Sequence, residues 1–100
     1  MNELFRLPAT ELARLIRDKE LSPVEVVEAH LARTEKMNPI LNAVTDFQPA
    51  RAREQAKHAE RLIMTGNPGG RLCGVPLTIK SSIEVEGFRC ECGTNLRKGV

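Results

Sequence analysis

Lys80-Ser81-Ser82 places an amine and two hydroxyls directly after the alternating run Gly74-Val75-Pro76-Leu77-Thr78-Ile79. A lysine held in an apolar setting loses hydration of its charged form, which favours the neutral amine. A neutral amine with a free lone pair serves as a general base. The commoner role of a lysine at a strand rim is to bury its stem and send its head to water. Periodicity alone leaves both roles open. Three cysteines, Cys73, Cys90 and Cys92, offer thiols. A zinc site draws on more widely spaced cysteine pairs and a full tetrahedral ligand set. Cys90-Glu91-Cys92 is too tight for that pattern, so no metal is expected. Without a secretory signal the three read as reduced thiols. His30 and His58 lie among charged neighbours on helical stretches and read as surface or boundary residues. Gly66 to Gly70 lacks the Gly-Lys-Ser/Thr ending of a phosphate loop and precedes a strand rather than a helix.

The elements that must position Lys80 follow from pattern. Thr10 is a good N-cap, and Leu12, Leu15 and Ile16 recur at helical spacing. Ser22-Pro23-Val24-Glu25 then combines a capping serine, a proline at the first helical position and a glutamate three residues after the serine. This predicts a second helix from Pro23 to about Met37. Its stripe is Val24, Val27, Leu31 and Thr34, and Asn38-Pro39 stops it. Ala43, Thr45 and Phe47 alternate with Asn42, Val44 and Asp46, which predicts a short strand over 43–47. Pro49 opens a third helix to about Met64. Its face of Ala52, Ala56, Ala59 and Ile63 suits close packing on a sheet, and Gly66 ends it. The run 75–80 reads as a second strand, with Pro76 near its start and a turn beginning at Ser81-Ser82.

The expected fold class is therefore α/β, two N-terminal helices followed by a βαβ unit with parallel strands and a right-handed crossover. The chain divides into a helical entry over 9–39, the βαβ unit over 40–82 and a loop-rich segment over 83–100. Two strands with open edges do not close a core, because parallel sheets are covered on both faces. The expectation is an N-terminal piece of a larger mixed-sheet domain.

Composition narrows the function classes. Apolar residues make up 41% and charged residues 28%, the balance of an ordinary soluble chain. No apolar run is long enough to span a bilayer. Met1 to Arg6 lacks the basic and apolar regions of a secretory signal, so a cytoplasmic location is expected. A net charge of +2 is too mild to argue for nucleic acid. The aromatics are Phe5, Phe47 and Phe88 alone, which makes no base-stacking platform. Arg51, Arg53, Lys57 and Arg61 on the third helix read as a solvated face.

The stretch from Gly74 to Thr94 resembles the amidase signature family. The residues that carry the likeness are Gly74-Val75-Pro76, the run Leu77-Thr78-Ile79, Lys80, Val85-Glu86-Gly87 and Gly93-Thr94. Upstream, Ser22-Pro23 opening a helix, Asn42-Ala43-Val44 and the alanine-spaced helix before the glycine-rich loop also agree. The likeness runs from about Thr10 to Thr94. It implies that residues 1–100 are the N-terminal part of a single domain hydrolysing C–N amide bonds with a Ser–cis-Ser–Lys triad. Lys80 matches the lysine base, and no metal or organic cofactor is implied. The implied partners are a small-molecule amide substrate and either a second copy of the chain or the other subunits of an amidotransferase. Neither nucleic acid nor membrane is among them. Two departures stand out: Ser81 replaces the acidic residue that many members carry after the lysine, and the Gly/Ser-rich signature with both catalytic serines does not occur before Val100. This chain alone is therefore expected to be inactive. The alternatives are the glutaminase-like subunit of a tRNA-dependent amidotransferase and a non-catalytic folding or interaction piece.

Overall fold

Ser22 and Glu25 form the capping box their spacing predicts. The Ser22 hydroxyl accepts from the Glu25 backbone N–H at 3.0 Å, and the Ser22 N–H donates to the Glu25 carboxylate at 3.1 Å. The cap starts α2, Pro23–Leu41, which follows α1, Ala9–Arg17, and precedes α3, Pro49–Met64. Short 3-10 turns at Leu4–Arg6 and Asn95–Arg97 flank the set. The computed structural model describes residues 3–66 and 69–100. The start of the chain at Met1-Asn2, and Asn67-Pro68 of the glycine-rich loop, lie outside the described residues. Among the described residues no helix is long and apolar enough to cross a membrane. Ser22→Ala removes one half of the box and is expected to cost about 1 kcal/mol, read as a lower urea midpoint with an unchanged slope.

α3 occupies the predicted span. Gly66 ends it in the left-handed conformation (φ +84°), its N–H donating to the Ile63 carbonyl at 3.1 Å. Its alanine face is buried at Ala56, Ala59 and Ile63, but it packs against α2 rather than a sheet. Small side chains let two helix backbones approach as readily as a helix and a sheet, so the stripe names the face and leaves its partner open.

Two apolar clusters hold the helices. Leu12, Ile16, Val26 and Ile63 form one, with Leu4, Leu7, Leu21, Cys73 and Val75 packed around them. Val27, Leu31 and Ala56 form the other, flanked by Val24, Phe47 and Ala52. α2 therefore buries two stripes, and Val26, which a single-face reading omits, is fully buried because α1 covers that side.

Two helix boundaries differ from expectation. Pro8, not Thr10, is the N-cap of α1; its extended backbone leads in without a side-chain cap bond, and Thr10 is exposed inside the first turn. α2 runs past Met37 and through Pro39 to Leu41. Proline disfavours helical geometry in the residue before it and removes one ladder donor. Two local devices offset this. Asn42 takes the left-handed C-cap (φ 53°) and donates its N–H to the Asn38 carbonyl at 2.7 Å. The Asn38 side-chain amide grips Val44 at both ends: its oxygen accepts from the Val44 N–H and its NH2 donates to the Val44 carbonyl, both at 2.9 Å.

The expected βαβ unit is absent, and the α/β class is corrected to helical. No strand occurs among the described residues. Residues 43–47 pass through a bend at Thr45-Asp46, and 75–80 join no ladder. Alternation and β-branching describe a surface suited to a sheet, but a strand exists only when a neighbour pairs its N–H and C=O groups. The first residues of the second run dock on the helices instead. A turn from Leu72 to Val75, closed at 2.9 Å, carries Cys73 and Val75 onto the first cluster. Gly74 makes this approach possible: at φ +88° a Cβ there would lie 2.9 Å from Pro23 Cγ and 3.3 Å from Ile16 Cδ1. Beyond it, Leu77 and Ile79 are 66% and 49% exposed. The Cα radius of gyration, 14.7 Å, exceeds the roughly 13 Å of a compact chain of this length.

Candidate functional site

Lys80 opens a turn in which the Ile83 N–H donates to the Lys80 carbonyl at 3.0 Å, the turn expected at Ser81-Ser82. The Ser81 carbonyl accepts from the Cys92 N–H at 3.4 Å, which joins the lysine turn to the segment carrying Gly93-Thr94. Lys80 itself is exposed, Ser81 is half-buried and Ser82 exposed. The apolar setting expected around the amine does not form among the described residues. Leu77, Ile79 and Ile83 stand exposed beside it, because among those residues no sheet neighbour covers the run that carries them. Two shallow depressions in the surface of the described residues lie elsewhere. One is lined by Glu35, Asn38, Pro39, Asn42 and Phe47, and the other lies between the start of α2 and the end of α3.

The thiols are separate and unpaired: Cys73 half-buried, Cys90 buried, Cys92 exposed. Among the described residues no three histidine, cysteine or carboxylate side chains converge as a metal site would require. His58 is exposed, and His30 is a boundary residue whose Nδ1 lies 2.7 Å from the Val26 carbonyl. The basic face of α3 is less uniform than expected. Arg53 pairs with Glu28 of α2 at 2.7 Å, and Arg51 is half-buried, lying 4.6 Å over the Phe88 ring and against Gly87.

The polar centre that sequence reading misses is the crossing of 45–48 with 87–89. Asp46 accepts from the Arg89 backbone N–H at 2.8 Å. The Arg89 guanidinium donates to the Thr45 carbonyl at 2.7 Å. The Gln48 amide donates to Asp46 at 3.2 Å and to the Gly87 carbonyl at 2.9 Å. Asp46 and Arg89 are 43 residues apart, so no periodicity in either segment announces the pair. The local signal is only that Gln48 directly precedes the proline opening α3.

Three carboxylates are held below the ordinary range. The Arg89 backbone N–H, then the Gln48 amide, stabilise ionised Asp46. Arg14 does the same for Glu11, and Arg53 for Glu28, each first through a side-chain hydrogen bond. A carboxyl whose pKa is lowered on folding contributes stability above its unfolded pKa, near about 4, and loses it as pH falls through the folded value. The urea midpoint is therefore expected to hold from neutrality to about pH 5 and to drop below about pH 4, less steeply in high salt.

The amidase family matches residues 25–100. The chain is 34% identical to fatty-acid amide hydrolase 2-A of Danio rerio, with 99% of the chain and 20% of that protein aligned. It is 38% identical to fatty-acid amide hydrolase 2-B of the same organism, again over 99% of the chain and 20% of that protein. It is 33% identical to the glutamyl-tRNA(Gln) amidotransferase A subunit of Mesorhizobium japonicum, over 99% of the chain and 19% of that protein. The chain thus spans about a fifth of the length of the curated relatives it matches. No solved structure matches it. A match over three quarters of the chain includes the whole string from Gly74-Val75-Pro76 through Lys80 to Gly93-Thr94, and on it this chain belongs to the amidase family.

Proposed function

We propose that this chain supplies the general base, Lys80, of a cytoplasmic enzyme that hydrolyses an amide C–N bond through a Ser–cis-Ser–Lys triad. Residues 1–100 form the N-terminal part of its single catalytic domain, and the two serines come from chain beyond Val100. The observation carrying this reading is the string Gly74-Val75-Pro76…Lys80…Gly93-Thr94 inside the family match. The exposed Leu77, Ile79 and Ile83 support it, since they offer the apolar wall of a lysine pocket that the remainder of the domain completes.

The amine at Lys80 takes a proton from the bridging serine, which takes one from the nucleophilic serine. The nucleophile's oxygen bonds to the amide carbon, the C–N bond breaks, and the amine departs carrying a proton. Water then cleaves the acyl ester and restores the serine. Backbone N–H groups hold the oxyanion at each stage. The chain by itself is inactive because it lacks the Gly/Ser-rich signature that carries the nucleophilic and bridging serines. The second reading is the glutaminase-like subunit of a tRNA-dependent amidotransferase, favoured by the relatives named for that complex. Release of ammonia from free glutamine by the full-length protein, only when partner subunits are present, selects it. Turnover of a simple amide by the full-length protein alone selects the stand-alone amidase. In both, Lys80→Ala is the test of the base, and retained turnover rejects it.

A further inference from the structure

We propose that Asp46 is a positioning residue for Lys80, acting through the segment 87–92. The inference rests on the reading of Lys80 as the base. Among the described residues Lys80 sits on an exposed turn with no ladder partner, so its placement within this chain depends on what holds that turn. One tie is the Cys92 N–H to the Ser81 carbonyl. Cys92 in turn belongs to a segment anchored three residues earlier, where Arg89 is bonded twice to the 45–46 bend and Gly87 is bonded to Gln48.

Asp46 is the hub of that anchor. One carboxylate oxygen receives the Arg89 backbone N–H and lies 3.7 Å from the guanidinium Nε; the other receives the Gln48 amide, which reaches on to Gly87. The opposite end of the segment is tied as well: the Glu91 carboxylate accepts from the Gly99 N–H at 2.7 Å, and the Arg97 guanidinium donates to the Cys90 carbonyl at 3.1 Å. Arg51, from the first turn of α3, covers Phe88. The packed pair α2–α3 therefore reaches the lysine turn by a continuous path: Asp46 to Arg89, along the backbone to Cys92, then across to Ser81. The groups that face Asp46 are Gln48 from its own segment and Arg89 from the opposite one.

The test uses the full-length protein, with kcat and KM for amide hydrolysis and site-resolved hydrogen exchange on each variant. Asp46→Ala is expected to lower kcat about tenfold or more with KM within about twofold, because a small displacement of a reacting group acts on the chemical step. Exchange at Arg89 and Cys92 should quicken at least about tenfold as their acceptors loosen. Asp46→Asn keeps an acceptor oxygen for the Arg89 N–H but turns an NH2 toward the Gln48 amide, so it should recover part of the loss in kcat. A purely structural role would instead lower the folded fraction and leave kcat per folded molecule unchanged, which overturns the proposal. Loss of turnover in Lys80→Ala with full kcat in Asp46→Ala also overturns it while leaving the base assignment intact. If Lys80→Ala keeps turnover, the base assignment fails and this proposal, which rests on it, falls too; unchanged exchange at Cys92 in Asp46→Ala rejects the positioning path alone.

Discussion

Lys80→Ala in the full-length protein is expected to reduce kcat for amide hydrolysis by about 10³-fold or more, with substrate binding little changed. General-base assistance alone is worth about 10²–10⁴-fold, and loss of a group that also orders its neighbours costs more. On the proposed triad, alanine leaves the bridging serine with no acceptor for its proton, so the nucleophile's oxygen attacks as a poor, protonated nucleophile. Lys80→Arg separates charge from basicity. Arginine keeps a positive group at the position but does not give up its proton at any working pH. Its kcat should fall as far as that of alanine. A retained charge with lost turnover identifies proton transfer as the role of Lys80; full activity in the arginine variant would make the residue an electrostatic anchor instead. The 100-residue chain is expected to show no turnover in the same assay, with or without Lys80.

Ile16→Ala is expected to be the most damaging apolar substitution. Ile16 is fully buried, and it joins α1 to α2, α3 and the Leu72–Val75 turn through Val26, Ile63 and Gly74. Truncation of such a side chain costs about 2–5 kcal/mol, the lost transfer energy plus the cavity left behind. A domain of ordinary stability holds only about 5–15 kcal/mol in total, and this helical unit has two small clusters rather than one large core. The substitution should lower the urea midpoint sharply or abolish the folding transition, read by far-ultraviolet circular dichroism. Met64→Ala is the control: its side chain is 70% exposed at the end of α3, and its effect should stay within about 0.5 kcal/mol. Equal effects from the two would show that the first cluster does not organise the helices.

What is legible in the sequence is what short-range chemistry decides. The Ser22–Glu25 box, the start of α2, the full span of α3 and its alanine face depend on side chains within one or two helical turns of each other. Their physics is complete once the local residues are known. The string around Lys80 is legible for another reason: several residues occur in a fixed order and spacing, and residues 25–100, which include them, match the amidase family.

The expectations that fail depend on partners the local sequence does not name. Alternation at 43–47 and 75–80 is a real feature, yet strand formation requires a paired backbone, and among the described residues none is supplied. The same lack leaves Leu77 and Ile79 in water and Lys80 without an apolar setting of its own. The stop at Asn38-Pro39 yields to a left-handed cap at Asn42 and to the grip of the Asn38 amide on Val44, contacts that exist only once the chain has turned back.

The sequence by itself thus determined the start of α2, the span of α3 and the face it buries, and the motif that marks Lys80. Tertiary structure alone decided that α3 meets α2, that α2 is buried on two sides, and that Asp46 meets Arg89. Helix caps and stripes are written in neighbouring residues, whereas a hydrogen bond across 43 residues depends on the path of the whole chain between them.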